Sequence, residues 1–130
     1  MAIHESGEDY LETILVLQNK TGSVRSIDVA NELGYTKASI SRAMSILKEE
    51  EYIVIGKSGS IIFTEKGLQK ADEVLNRHKI IAEFLVKTLG VDTDLADKNA
   101  CRIEHVISHE VFDKMMDFVR KQGSTDNSKI

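Results

Sequence analysis

The 130 residues predict a mainly α-helical fold, an N-terminal winged helix-turn-helix followed by an all-helical lobe. Three observations carry that prediction. Two amphipathic segments, "IDVANEL" and "KASISRAMSILKEEEY", flank a turn containing Gly34. Two β-branched runs follow in "YIVIGKSGSIIFTEKG", and the glycines and serines between them suit a hairpin. Beyond Thr64, apolar residues recur at helical spacing almost to the end, and the chain has no proline.

Taken in order, a first helix is expected from Glu8 to Lys20, with Tyr10, Leu11, Ile14, Leu15 and Leu17 on one face and Thr21–Gly22 as its stop. Ser26 is the expected N-cap of the second helix and Gly34 its left-handed terminator. Thr36 caps the third, which buries Ile40, Ala43, Met44 and Leu47. The hairpin after it reads as a wing. Thr64 then caps a long helix to Leu89, whose stripe is Ala71, Val74, Leu75, His78, Ile81, Ala82 and Leu85, stopped by Gly90. Two more helices are expected, from Asp94 to Ile107 and, capped by Ser108, to Gly123. The resulting division is residues 1–70 for the winged unit, 71–123 for the helical unit and 124–130 for a disordered tail.

Composition excludes several classes. A single cysteine, Cys101, allows neither an intramolecular disulfide nor a four-cysteine zinc site, and it suits a reducing compartment. The N-terminus lacks the pattern of a secretory leader, and no apolar run is long enough to span a bilayer, so the expectation is a cytoplasmic protein without a membrane partner. There is no oxyanion motif or glycine-rich phosphate loop, which points away from an enzyme with a small-molecule substrate.

The net charge of −4 does not exclude nucleic acid. Charges farther than about 8 Å are screened at physiological salt, and from Lys20 to Lys48 the cations Lys20, Arg25, Lys37, Arg42 and Lys48 face only Asp28 and Glu32. Lys37, Ser39, Ser41 and Arg42 open the third helix with the mixture of cations and hydroxyls that contacts phosphates and base edges in a major groove. Arg25, Ser26, Thr36 and, on the wing, Lys57 complete the expected DNA-facing set.

The helical lobe carries a second constellation. Cys101, Glu104 and His105 stand at i, i+3 and i+4, so one helical face would present a thiolate, a carboxylate and an imidazole, all ligands of transition metals. His78 is either a core histidine or a further ligand. On the first helix, Glu5 and Glu8 favour the helix dipole, whereas Asp9 and Glu12, beside the apolar face, are able to close a metal site. Two other uses of the residues are a winged-helix regulator that senses oxidants through Cys101 and a small metallohydrolase; the carboxylate beside the thiol argues against the first.

The segments "EDYLETIL", "DVANELGYTKASISRAMSILKEEEYI", "FTEKG", "NRHKIIAEFL" and "ACRIEHVISHEV" resemble the DtxR/MntR family of metal-dependent repressors over residues 5 to 120. The resemblance implies Asp9, Glu12, His78, Cys101, Glu104 and His105 as ligands of a divalent metal, Fe(II) or Mn(II), and a metal-loaded homodimer that binds a palindromic operator in double-stranded DNA. It is a hybrid resemblance. Asp9 and Glu12 are similar to the manganese-responsive branch, Cys101 to the iron-responsive one. Ala82 and Asp97 stand where iron-type members have ligands of a second site, and the SH3-like domain of larger members is not seen. Phe84, Leu85, Val111, Phe112, Met115, Met116, Phe118 and Val119 form an apolar surface suited to the homodimer interface.

Overall fold

The computed structural model describes residues 5–128, with side chains over 7–121. The elements are α1 (Glu5–Thr21), α2 (Ser26–Leu33), α3 (Lys37–Glu49), β1 (Ile53–Ile55), β2 (Ile61–Phe63), α4 (Glu65–Leu89), α5 (Thr93–Ile103) and α6 (His109–Ser128). Two compact units meet within α4, between Glu73 and Val74.

In the first unit α1, α2 and α3 pack on one another and β1 packs on α3. Leu11, Ile14 and Leu15 of α1, Val29 and Ala30 of α2, and Ile40, Ala43, Met44 and Leu47 of α3 are buried, so the apolar stripe of each helix is its packed face. Fully burying one such leucine or isoleucine contributes about 1.5–3 kcal/mol. Local chemistry sets the ends. Gly34, at φ 71°, terminates α2 and donates its N–H to the Ala30 carbonyl. Thr36 Oγ1 accepts the Ser39 N–H at 3.1 Å at the start of α3. The cap of α2 differs from expectation: Arg25 holds that position and Ser26 is already helical. The reason is Asp28, whose carboxylate accepts the Arg25 N–H at 2.9 Å and closes the turn from the third helical position.

β1 and β2 form the antiparallel wing in the register Ile53↔Phe63, Val54↔Ile62 and Ile55↔Ile61. The segment before α2 adds to its edge, through an antiparallel bridge between Arg25 and Ser60 and an Ile61 N–H to Val24 carbonyl bond of 2.7 Å. The exit from the wing is tightly fastened. Thr64 Oγ1 donates to the Glu51 carbonyl at 2.6 Å and accepts the Gly67 N–H at 3.0 Å, which makes it the cap of α4. Glu8 has more than a dipole role: it is largely buried and pairs with Lys70 Nζ at 3.2 Å.

The second unit is built on Ile81, Ala100 and Phe112, one residue each from α4, α5 and α6, with Leu85, Ile103, Ile107, Met115 and Met116 packed against them. Phe84 and Phe118 meet edge to face at 5.5 Å. Much of the apolar surface assigned to a dimer is therefore used inside one chain: Phe112 and Val119 are buried, and among the eight residues only Val111 is exposed. Two helix ends also differ. Asp92 caps α5 by accepting the Leu95 N–H at 2.8 Å, and the helix stops at Ile103 with Glu104 as its C-cap, so Glu104 and His105 lie in the turn that follows. Ser108 caps α6 as expected, with a 3.2 Å bond from the Val111 N–H. That helix continues past its expected end at Gly123 to Ser128; residues 129–130 lie outside the described residues. An interior glycine costs a helix about 1 kcal/mol, too little to end it by itself.

A Cβ on Gly67 would lie 1.8 Å from the Tyr52 carbonyl oxygen, and both are backbone-fixed. Gly67→Ala is expected to lower unfolding stability by about 2 kcal/mol or more through overpacking, measured by urea denaturation of the metal-free chain.

Candidate metal centre and DNA-facing surface

Glu104 is the centre of the second unit's polar chemistry. It is 1% exposed, and among the described residues neither carboxylate oxygen has a hydrogen bond. An imidazole nitrogen faces each oxygen: His78 Nδ1 is 3.2 Å from Oε2, and His105 Nε2 is 3.3 Å from Oε1. Ligand atoms of Cys101, Glu104 and His105 lie within 4.8 Å of one another. Donors bound to one divalent transition ion at about 2.1 Å and near a right angle are about 3 Å apart, so the Glu104–imidazole separations suit coordination. A buried anion without hydrogen bonds is costly, and a cation would offset that cost. The residues present fit a divalent metal.

His78 comes from α4, Cys101 from the last turn of α5, and Glu104 with His105 from the turn beyond it. These four belong to the second compact unit. Asp9 and Glu12 belong to the first, half-buried on α1. One residue outside the expected set joins the second unit's group: Asp97 Oδ1 lies 3.3 Å from His78 Nε2. Its sequence signal is its position four residues before Cys101, on the same side of α5.

The first unit presents the other candidate surface. Lys37, Ser39, Ser41 and Arg42 are all exposed on α3, opposite its buried stripe, and Lys57 is exposed on the wing. Two members of the expected set have structural work. Thr36 Oγ1 caps α3 and also donates to Ser39 Oγ at 3.0 Å. The Arg25 guanidinium donates to the Ser58 carbonyl and so lies against the tip of the wing. Ser26 is half-buried.

Exposed cations on the second helix of a winged helix-turn-helix, with a separate unit carrying metal-type donors around a buried carboxylate, define the class of metal-dependent transcriptional regulators. Residues 2–60 match the family described as iron dependent repressor, N-terminal DNA binding domain, and residues 64–125 its metal binding and dimerisation domain. An uncharacterised HTH-type transcriptional regulator of Methanocaldococcus jannaschii is 31% identical over 118 residues, covering 90% of this chain and 94% of that protein. The chain belongs to the iron-dependent repressor family. In fold it is similar to IdeR of T. acidophilum (TM-score 0.78, 22% identity, 90% of this chain and 54% of that one). It is equally similar to a manganese-dependent transcriptional repressor in complex with manganese (TM-score 0.78, 23% identity, 87% and 52%). The chain spans about half the length of these two solved structures. Among the described residues, no helix is long and apolar enough to cross a membrane.

Removing the Thr36 hydroxyl deletes the cap of α3. Thr36→Ala is expected to cost about 1 kcal/mol of stability, seen as a lower urea midpoint with an unchanged slope.

Proposed function

We propose that the chain is a cytoplasmic repressor that holds Fe(II) or Mn(II) through His78, Cys101, Glu104 and His105, with Asp9 and Glu12 completing the set. As a loaded homodimer it binds a palindromic operator. The observation that carries this reading is Glu104, a buried carboxylate whose two oxygens make no hydrogen bond among the described residues and face one imidazole each. The metal supplies positive charge at that point. The rest is work of the chain's own residues. Asp9 and Glu12 are carboxylates of the DNA-binding unit, and recruiting them to a centre in the second unit couples metal occupancy to the DNA-binding state. The chemistry is binding, not turnover. The thiol of Cys101 favours softer ions and the carboxylates harder ones, so Cys101 tunes the choice of metal.

At the operator, α3 enters the major groove with Lys37, Ser39, Ser41 and Arg42, while Arg25, Ser26, Thr36 and Lys57 line the approach from α2, the turn and the wing. A twofold dimer repeats this about 34 Å away, one turn of DNA. The exposed Val111, Leu95, Leu89 and Val106 of the second unit remain as apolar surface for a partner copy.

The deciding experiment uses a duplex selected from a random library by the Mn(II)-loaded protein, with binding followed by fluorescence anisotropy. A metal at 100 times its dissociation constant for the competent state contributes about 2.7 kcal/mol, so wild type is expected to bind about 100-fold tighter with Mn(II) or anaerobic Fe(II) than with chelator. Cys101→Ala and Glu12→Ala should lose most of that gain. Equal affinity with chelator for all three proteins would refute the metal switch, and release of DNA by peroxide alone would favour oxidant sensing through Cys101. On the same duplex, Lys37→Ala should flatten the dependence of log K on log salt by about 1 if it neutralises one phosphate.

A further inference from the structure

Asp97 has no place in the ligand set above, yet it is the second carboxylate on His78. A neutral imidazole has one N–H and one lone pair, and what the N–H bonds to decides which nitrogen is available as a ligand. In His78 the two nitrogens face different acids: Nε2 lies 3.3 Å from Asp97 Oδ1, and Nδ1 lies 3.2 Å from Glu104 Oε2. The two acids differ sharply in setting, since the Asp97 side chain is 61% exposed and that of Glu104 is fully buried. We infer that Asp97 is a positioning residue for His78: it accepts the Nε2–H, holds the ring in one tautomer and presents Nδ1 beside the Glu104 carboxylate.

The inference rests on the metal reading for its consequence but not for its geometry. The nitrogens of an imidazole point in divergent directions, so a carboxylate hydrogen-bonded to Nε2 is turned away from an ion held at Nδ1. Such outer carboxylates orient a ligating histidine and raise its basicity, and their loss typically weakens metal binding by about 10- to 100-fold. Asp97 sits on α5, four residues before Cys101, so this one helix supplies both a metal-type donor and the group that aims another. Its exposure also means that replacing it removes little packing.

The test compares wild type, Asp97→Ala and Asp97→Asn. Imidazole 15N shifts of metal-free protein at mildly alkaline pH, with His78 assigned by His78→Gln, report the tautomer. Mn(II) titration followed by the free-ion EPR signal reports affinity. Wild type is expected to hold His78 with the proton on Nε2, and Asp97→Ala to show a mixture of tautomers with Mn(II) binding weaker by about 10- to 100-fold. In Asp97→Asn the amide can accept the Nε2–H or donate to Nε2, so the tautomer is expected to be mixed again and Mn(II) binding to be weaker than in wild type. An unchanged tautomer and affinity in Asp97→Ala overturns the inference. Weaker Mn(II) binding in Asp97→Ala with the His78 tautomer unchanged also overturns it, because Asp97 would then act as a ligand and not through His78. Wild type that binds no Mn(II) or Fe(II) would instead defeat the metal reading, while the 15N shifts still decide the role of Asp97.

Discussion

A carboxylate taken out of water without hydrogen bonds costs several kcal/mol, and among the described residues none hydrogen-bonds the buried Glu104 carboxylate of the second unit. The neighbouring chemistry follows from that constraint. His78 on α4 and His105 in the turn after α5 each bring a nitrogen to one of its oxygens. The second contact is between neighbours in sequence: Glu104 is the C-cap of α5, its backbone still in the right-handed helical region, and its carboxylate meets the His105 ring at 3.3 Å.

The first unit is ordered by different means. Its helices are joined by short turns whose polar groups are largely assigned: Asp28 to the Arg25 N–H, Thr36 to the Ser39 N–H, Thr64 to the Glu51 carbonyl and the Gly67 N–H. With the caps supplied from the turns, the cations and serines on the outer face of α3 remain exposed. The local basic balance therefore matters more to a phosphate backbone than the net charge of −4. Helix α4 contributes to both units, carrying Lys70 to Glu8 in the first and His78 to Glu104 in the second.

Periodicity and turn chemistry were strong signals. Ile40, Ala43, Met44 and Leu47 had only one way to share a helical face, and the glycine at position 34 had a left-handed conformation to fill, so those elements were legible residue by residue. Weaker signals failed for stated reasons. Ser26 and Arg25 compete for one cap, and the choice was made by the Asp28 carboxylate reaching back to the Arg25 N–H. Phe112 and Val119 have the composition of an interface but fill the interior of the second unit, a distinction that depends on what α4 and α5 place opposite them.

Element types, the exposed face of α3 and the candidate metal-type donors were legible in the sequence, because residue type and helical spacing are local properties. Only the tertiary structure decided that both oxygens of Glu104 are buried against two imidazoles and that Asp97 stands on the far nitrogen of His78. The two contacts of His78 join residues 19 and 26 positions apart through the packing of α4 and α5, and no local periodicity encodes them.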